Sequence, residues 1–492
     1  MAKITTIIDI GSNSVRMVVF QKTSRYAFTL INETKSRVKI SEGTYNNGGN
    51  LQEIPMQRAF GALQSFMRIS KSLKSRKILC VATSALRDAP NKQIFINRVK
   101  KELGLSIKVI DGIKEAYFGA VSTSNLLHLD DYMSIDIGGG STEFCLINDK
   151  KIKQYFSLDI GTVRLKELYF NNNDLDGAKQ FIYNKLKQYE ERFKDFEIKT
   201  LVGVGGSSRA LSRLIIDQSK YPLDTLHGFT YKTKKYKDLF QDIIYAKNDK
   251  KLKSLGVKKD RYDTIKEGTF IFDTILEYFN IKTVVTSGVG VREGVYLADL
   301  LRTSNHRFPA NFSISVRSLL DRFELDSKIT AYMGRNIAGI FDALYPLHKL
   351  ENEYKTALVL AAKLHSIGVT LSFYKYSEHA FNFILNGLNY GFSHEQRVLI
   401  AHIIKFSKNA DIKKDDIKEF KELLPSVEVM QCLSFMMSLN IRLNVDLSST
   451  KFEYILKEDI LYIKSQNNLY LASELLSKIQ TPKNLKAIYL DD

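Results

Sequence analysis

A short tract that occurs twice in the chain constrains its fold more than any other feature. The first copy, residues 7–14, reads IIDIGSNS, and the second, residues 134–141, reads SIDIGGGS, so Asp-Ile-Gly-x-x-Ser recurs 127 positions apart. In each copy an apolar run leads into Asp, Gly and Ser, and a second apolar run follows. The pattern predicts a strand, a tight turn and another strand in both places.

Such glycine-rich turns are suited to binding phosphate, because backbone N–H groups can approach an anion where side chains are missing. A third turn, residues 203–209 (GVGGSSR), and a fourth, residues 287–290 (SGVG), also follow apolar runs. A single copy is equally explained as an ordinary hairpin, whereas two matched copies and two further turns favour a phosphate site. Arg87 and Arg209 are candidates for holding phosphate charge bidentately. The predicted phosphate-binding residues are Gly11, Ser12, Asn13, Ser14, Arg87, Gly138, Gly139, Gly140, Ser141, Gly205, Gly206 and Ser207.

Two common phosphate-binding motifs are absent from the sequence. There is no Gly-x-x-x-x-Gly-Lys-Ser/Thr, and no Gly-x-Gly-x-x-Gly opens a helix with an acidic residue at the required distance. The chain is therefore expected to have neither a P-loop nor a Rossmann fold.

Acidic residues accompany the two matched turns. Asp9 and Asp136 end the first strand of each copy, where they could hold Mg²⁺ or a metal-bound water between themselves and a phosphate. Glu143 follows Asp136 by seven positions, so the two lie on adjacent strands of one hairpin and could share the ion. Glu143 could equally be a solvent-facing strand residue. We predict Asp9, Asp136 and Glu143 as the metal ligands.

Glu115 is the candidate catalytic base. Asp111 is a plausible N-cap of the helix that follows, and Glu115 falls near its first turn, where the helix N-terminus favours an ionised carboxylate. Facing a cleft, such a carboxylate could orient and partly deprotonate a water for in-line attack on a terminal phosphorus. The competing interpretation is that Glu115 only compensates the helix dipole.

Composition is that of an ordinary soluble protein, with 44 % hydrophobic and 26 % charged residues in 492. No segment resembles a secretion signal or reaches membrane-spanning length, so a cytoplasmic protein without membrane contact is expected. Cys80, Cys145 and Cys432 are odd in number and lack metal-ligand spacing, which indicates packing roles in a reducing compartment.

Positive charge is concentrated with the glycine-rich turns. Residues 306–492 hold 23 Lys and Arg against 21 Asp and Glu, so the first 305 residues carry +16 of the formal +18. This field would attract an anionic partner, whether a polyphosphate, a nucleotide or nucleic acid. A solvated lysine-rich surface explains the same numbers, and no specific nucleic-acid interaction is predicted.

Hydrophobic periodicity divides the chain into four predicted domains. Residues 1–125 and 126–304 each alternate strands and helices, which predicts two similar α/β halves with the ligand in the cleft between their opposed loops. Residues 305–440 are helical, and residues 441–492 indicate a small α/β unit of strands around a helix. Predicted helices include residues 55–72, 93–103, 354–364 and 397–406, and predicted strands include 78–82 and 105–110.

The chain resembles the Ppx/GppA exopolyphosphatase and pentaphosphate phosphohydrolase family, within the actin-like superfamily of sugar kinases, chaperones and actin. The resemblance spans nearly the whole chain in ordered motifs. These are DIGSNS at 9–14, ATSALRDA at 82–89, GIKEA at 112–116, DIGGGSTE at 136–143, GVGGS at 203–207, REG at 292–294 and LHSIG at 364–368.

The resemblance implies a duplicated actin-like (ribonuclease H-like) fold, followed by an all-helical HD-like domain. It implies that Glu115 is the base, that Asp136 and Glu143 serve the divalent ion, and that Arg87 and the Gly turns bind phosphate. It also implies Mg²⁺-dependent release of orthophosphate from inorganic polyphosphate, or conversion of the alarmone pppGpp to ppGpp in the stringent response. A homodimer is typical of the family.

The helical part departs from a metal-binding HD site, because Ser366 follows His365 where Asp is expected. His379 and His394 have no accompanying pair of carboxylates, so structural or surface roles are expected for them and no second active site is predicted.

Three functions stay open at this point. The first is hydrolysis of a phosphoanhydride terminus, the second a kinase of the same superfamily, and the third a non-catalytic sensor of polyphosphate or alarmone. The sequence does not separate polyphosphate from pppGpp, because both present the same terminal phosphates.

Overall fold

The computed structural model describes residues 3–44, 47–408 and 412–491. The chain forms two compact units, Met1–Phe312 and Ser313–Asp492. Each unit is described separately below.

The first half of unit 1 is built on a five-stranded sheet with the order β3-β2-β1-β4-β5. Its strands are β1 (Ile4–Ile10), β2 (Val15–Lys22), β3 (Phe28–Ser36), β4 (Lys77–Ala82) and β5 (Ile107–Val109). Its helices are α1 (Glu53–Ser72), α2 (Ser84–Arg87), α3 (Lys92–Leu103) and α4 (Gly112–Leu126). Strand β1 pairs antiparallel with β2 and parallel with β4. Isoleucines on both faces of β1 are fully buried, so β1 forms the centre of this half.

The second half of unit 1 repeats that plan with one extra strand, in the order β10-β11-β9-β6-β7-β8. Its strands are β6 (Tyr132–Ile137), β7 (Thr142–Asn148), β8 (Lys151–Leu158), β9 (Thr200–Val204), β10 (Thr230–Lys232) and β11 (Thr283–Thr286). Its helices are α5 (Thr162–Leu168), α6 (Leu175–Lys187), α7 (Gly205–Ser219), α8 (Lys237–Ile244), α9 (Asp249–Ser254), α10 (Ile265–Tyr278) and α11 (Val291–Leu300). Short 3₁₀ helices occupy Phe170–Asn172, Glu190–Arg192, Thr233–Tyr236 and Lys259–Arg261.

The duplication therefore extends from the motif to the topology. In each half an antiparallel three-strand meander begins the sheet, and the first strand of that meander then pairs parallel with a later strand. This arrangement confirms the predicted pair of actin-like α/β halves, with no P-loop or Rossmann order of strands.

Helices α4 and α11 pack unusually closely. A β-carbon placed on Gly294 of α11 would lie 1.8 Å from the carbonyl oxygen of Phe118 in α4. Only glycine fits there, because the neighbouring atoms are backbone and cannot rotate away. The N-terminal turn of α4 carries Glu115, and that of α11 carries Arg292, so this contact fixes the position of both.

Unit 2 is mainly helical and ends in a small sheet. Its helices are α12 (Ile314–Arg322), α13 (Ser327–Ala343), α14 (Tyr345–His348), α15 (Asn352–Leu364), α16 (Tyr376–Gly387), α17 (His394–Lys405), α18 (Val427–Leu443) and α19 (Tyr470–Leu476), with 3₁₀ helices at His365–Thr370 and Lys414–Phe420. Its strands, in the order β12-β13-β14, are β12 (Phe452–Lys457), β13 (Ile460–Ser465) and β14 (Ala487–Asp491). One hydrophobic core joins the helices to this sheet, which confirms the predicted helical region and sheet unit.

Local predictions agree with the structure to within a few residues at element ends. Helix α3 ends before Gly104, which adopts a φ of +66°, as expected of a glycine after a helix. The predicted strand 105–110 is shorter, being confined to β5. At the C-terminus, residues 452–465 form a hairpin, in which Glu458 and Asp459 turn the chain with positive φ. The four domain boundaries proposed from the sequence stay a prediction.

Within the residues that the structure describes, no helix is both long enough and apolar enough to cross a membrane. Cys80 and Cys145 are buried thiols, and Cys432 is a half-buried one. The Cys145 thiol donates a hydrogen bond to the carbonyl oxygen of Ala116 at 3.1 Å.

Candidate active site

The four glycine-rich turns of unit 1 surround one cleft of about 200 Å³. Residues 11–14 come from the β1–β2 turn, and residues 138, 139 and 141 from the β6–β7 turn. Residues 205–207 begin α7, and residues 290–292 begin α11. Turns separated by almost 300 positions in the sequence thus line one cleft, as predicted for opposed loops.

The two matched turns have the same internal geometry. Gly11 N donates to Ser14 O at 3.1 Å, and Gly138 N donates to Ser141 O at 2.9 Å. The turns also lie against each other, since a β-carbon on Gly139 would be 3.4 Å from that of Ser12. Both turns therefore present backbone and hydroxyl groups to one small volume, as a phosphate site requires.

The third turn is a strand–helix junction. Gly205 adopts a φ of +79°, and a β-carbon there would lie 2.0 Å from Oδ1 of Asp136. Glycine is required for both the backbone conformation and this close approach. Residues 205–207 form the first turn of α7, whose free N–H groups and positive helix end favour an anion in the cleft.

Glu115 lines the cleft from the first turn of α4. Asp111 caps that helix as predicted, its side chain accepting from Lys114 N at 2.6 Å. The Glu115 side chain is 14 % exposed, and its Oε2 accepts from Arg87 Nη1 at 3.2 Å. Burial, and next the nearby Glu143 carboxylate, raise the pKa of Glu115 well above its usual value, while Arg87 lowers it.

This result corrects one expectation. We expected the N-terminus of α4 to favour an ionised Glu115, but burial and the Glu143 charge have the larger effect on its pKa. A raised pKa makes the carboxylate a stronger base, which suits proton abstraction near neutral pH.

The predicted acidic ligands lie together in the cleft lining. Asp136 and Glu143 face each other in the β6–β7 pairing, as their spacing predicted. Ser141 and Ser157 both donate to Glu143 Oε1, at 2.7 and 2.9 Å. Glu143 is therefore held in one orientation and is not a solvent-facing strand residue.

Burial raises the pKa of all three of these carboxyl groups. The pKa of Asp9 rises to about 6 and that of Glu143 to about 7, and the charge of Asp136 contributes to both shifts. The pKa of Asp136 itself is raised by burial, against the lowering effect of Arg209. Such a cluster of buried, mutually repelling carboxylates would gain stability from a bound cation.

Among the described residues, no three or more His, Cys, Asp or Glu side chains form a group that could hold a metal ion. Mg²⁺ nevertheless needs only one or two carboxylates, because waters and substrate phosphates supply the other oxygens. The shared position and raised pKa values of Asp9, Asp136 and Glu143 fit an ion of this kind.

Arginines supply the positive charge of the site. Arg209 donates to Ser287 O at 2.7 Å and to Val289 O at 3.0 Å, which attaches α7 to the fourth turn. Arg292 donates to Glu33 Oε1 at 2.7 Å. Burial, and next the positive charge of Arg292, lower the pKa of Arg209 to about 10, so these cations are held close together at an energetic cost.

Fourteen of the sixteen residues predicted for the site line this cleft, and two do not. Arg87 lies behind Glu115 and pairs with it, because its guanidinium is drawn to that carboxylate rather than to the cleft. Gly140 faces α5, where its carbonyl oxygen accepts from Arg164 Nε at 3.1 Å.

Arg209 lines the cleft, and so do five basic residues that the sequence did not assign to the site: Arg16, Lys35, Arg37, Arg261 and Arg292. The only signal for them was local. Arg16 follows the first turn by two positions, and Lys35 and Arg37 alternate at the end of β3, so they share one face of the chain.

Comparison with known proteins identifies the family. The model of the Ppx/GppA phosphatase family matches residues 18–303, which is more than half of the chain, and its domain III model matches residues 313–488. The chain belongs to the Ppx/GppA phosphatase family.

Among family relatives, a guanosine-5'-triphosphate,3'-diphosphate pyrophosphatase from Photobacterium profundum is 27 % identical over 81 % of this chain and 79 % of its own length. The Aquifex aeolicus Ppx/GppA family member has a similar structure, with a TM-score of 0.53 and 27 % identity over 62 % of this chain and 99 % of that one. An exopolyphosphatase from Cytophaga hutchinsonii shares the fold, with a TM-score of 0.57 and 23 % identity over 61 % of this chain and 98 % of that one.

In the helical unit of this Ppx/GppA family member, Ser366 follows His365 at the position where a metal-binding HD site has Asp. His365 is enclosed, its Nδ1 is hydrogen-bonded to Ala362 O at 2.8 Å, and burial lowers its pKa. Of the other two histidines discussed above, His394 is buried. The buried position of His394 agrees with the structural role expected for it.

Proposed function

We propose that this protein hydrolyses the terminal phosphoanhydride bond of inorganic polyphosphate or of pppGpp, with Glu115 as the general base. The main support is the position of Glu115, which has a raised pKa and lies in the same cleft as two matched phosphate-type turns. A phosphatase of the Ppx/GppA family needs such a base together with anion-binding groups.

In the proposed reaction the turns at 11–14, 138–141 and 205–207 hold the oxygens of the terminal phosphates. Arg87 donates to Glu115 Oε2, so the proton of the attacking water passes to Glu115 Oε1. The water oxygen bonds to the terminal phosphorus as the bridging P–O bond breaks. Orthophosphate leaves, and the remaining anion is one phosphate shorter.

The acidic residues have a separate role in this proposal. Asp9, Asp136 and Glu143 would hold Mg²⁺, which when bound screens the negative charge of the phosphates. Ser141 and Ser157 keep Glu143 oriented toward that position.

The test is orthophosphate release by the purified protein with Mg²⁺, comparing long-chain polyphosphate with pppGpp. Glu115→Gln should lose about 10² to 10⁴ in turnover while substrate binding is retained, because the base is removed without changing its size. Glu53→Gln is the matched control, since Glu53 is also a first-turn glutamate but is exposed on α1.

The possible outcomes of this test distinguish the three candidate functions. Release that depends on Glu115 supports the hydrolase and ranks the two substrates. Transfer of phosphate to an acceptor in excess of release would favour a kinase, and binding without release would favour a sensor. A homodimer and a cytoplasmic location remain further predictions.

A further inference from the structure

Two aspartates, Asp260 and Asp263, lie in or beside the otherwise basic lining of the cleft. Asp260 lines the cleft, and Asp263 lies between two other lining residues, Arg261 and Thr264. The phosphate chemistry proposed above has no use for a carboxylate at this position, because an anionic substrate would be repelled by it.

Both aspartates form ion pairs with bases at the end of β3 and in the segment that follows it. Asp263 Oδ2 lies 2.6 Å from Arg37 Nη2 and 3.0 Å from Lys39 Nζ. Asp260 Oδ2 lies 3.8 Å from Lys35 Nζ. Lys35 lies in β3, whereas Arg37 and Lys39 follow that strand and Lys39 has a φ of +46°. The ion pairs themselves show that Arg37 and Lys39 both reach Asp263.

These ion pairs connect the two halves of unit 1 across the cleft. In the first half of unit 1, Lys39 N donates to Asn13 O and Ser41 N donates to Ser12 O. These bonds attach residues 35–39, called the basic segment here, to the first phosphate turn. In the second half, Lys166 Nζ donates to Asp263 O at 3.0 Å. A β-carbon on Gly206 would lie 2.6 Å from Arg261 Nη1. The segment that carries the two aspartates, residues 260–263, therefore lies beside the third phosphate turn.

We propose that Asp263 is a specificity-determining residue that competes with the distal phosphates of a long substrate for Arg37 and Lys39. This inference rests on the proposed function of the cleft. A short anion held only by the glycine-rich turns leaves the Asp263 pairs intact. A longer phosphate chain reaches the basic segment and replaces the carboxylate.

The energetics favour such an exchange. The side chains of Arg37, Lys39 and Asp263 are 31 %, 42 % and 48 % exposed, and ion pairs this exposed are weak. A polyphosphate chain brings several adjacent phosphates, each with one negative charge and two non-bridging oxygens, so together they offer these bases more charge-assisted hydrogen bonds than the single Asp263 carboxylate does. Asp263 therefore raises the substrate length or charge that is needed for tight binding.

The experiment measures dissociation constants by calorimetry, without divalent cations so that turnover does not interfere. Full-length protein and Asp263→Asn are each titrated with tripolyphosphate and with long-chain polyphosphate. Asp263→Asn should bind the long chain about three- to tenfold more tightly, because two cations are released from their internal partner. Tripolyphosphate binding should stay within about twofold, which is the scale of a weak long-range charge effect.

Asp299→Asn is the matched control, because it removes one carboxylate of the same unit that pairs with Lys77 away from the cleft. Lys39→Gln serves as a second variant and should weaken long-chain binding. Unchanged long-chain affinity in Asp263→Asn would overturn the inference, as would equal gains for both ligands or an equal gain in Asp299→Asn. If the unmodified protein bound neither polyphosphate and also released orthophosphate from neither long-chain polyphosphate nor pppGpp with Mg²⁺, the proposed function itself would fail. If it bound neither polyphosphate but released orthophosphate from pppGpp, only this inference would be overturned.

Discussion

Replacement of Gly294 by alanine tests how the fold positions the proposed base. The added β-carbon would lie 1.8 Å from the carbonyl oxygen of Phe118 and 2.5 Å from its carbonyl carbon. Nonbonded atoms of this kind normally stay about 3.5 Å apart, so α4 and α11 must separate by roughly 1.5 Å. The displaced atoms are backbone, and no change of side-chain rotamer can relieve the contact.

The expected cost has two parts. Overpacking of this type destabilises by about 1–3 kcal/mol, and alanine recovers up to about 1 kcal/mol through its higher helix propensity. For a unit of this size a net loss of about 2 kcal/mol lowers the unfolding midpoint by roughly 3 °C. A shift of Glu115 by about 1 Å should also reduce turnover by about tenfold to a hundredfold, because the base loses its alignment with the water.

Calorimetric unfolding and orthophosphate release together measure both effects. Gly119→Ala is the matched control, because Gly119 lies in α4 and an added β-carbon there meets no atom within 4 Å. That variant should be as stable as the original or more so, and fully active. If Gly294→Ala behaved in the same way as Gly119→Ala, the argument that this helix contact positions Glu115 would be refuted.

Two further predictions concern charge. Asp136→Asn keeps the side-chain volume and should weaken the apparent affinity for Mg²⁺ in the activity assay by about tenfold or more, whereas an unchanged Mg²⁺ dependence would remove Asp136 from the proposed ion site. In unit 2, burial lowers the pKa of His402 to about 4, below the value of about 6.5 expected in the unfolded chain. The stability that neutral His402 contributes is therefore present above pH 6.5 and lost as pH falls toward 4. This loss amounts to about 2 kcal/mol between pH 7 and pH 5. Denaturant unfolding at both pH values should show that difference reduced in His402→Gln, and an identical pH dependence in the variant would contradict the assignment.

The proposed site also explains why the positive charge belongs to unit 1. Burial and the charge of Arg292 lower the pKa of Arg16 and Arg209, whereas burial and the charge of Asp136 raise the pKa of Asp9 and Glu143. Cations and carboxylates held this close in a cleft favour a ligand that brings both phosphate and a divalent ion. That requirement is consistent with a phosphoanhydride substrate.

The sequence by itself determined the features that depend on a few neighbouring residues. The two Asp-Ile-Gly-x-x-Ser tracts form matched turns, Asp111 caps α4, and the Asp136–Glu143 spacing places both residues opposite each other in a hairpin. Each of these follows from hydrogen bonds or strand register within about ten positions, so the local pattern is sufficient.

Only the tertiary structure decided how distant segments share the cleft. In the folded chain Arg87 pairs with Glu115, Lys35 and Arg37 line the cleft, and Asp263 forms an ion pair with Arg37. It also set the raised pKa of Glu115, which depends on desolvation and on the charge of Glu143, 28 positions away in the chain. Burial and Coulomb interactions depend on distance in space, and that distance is fixed by the packing of the two duplicated halves rather than by any local motif.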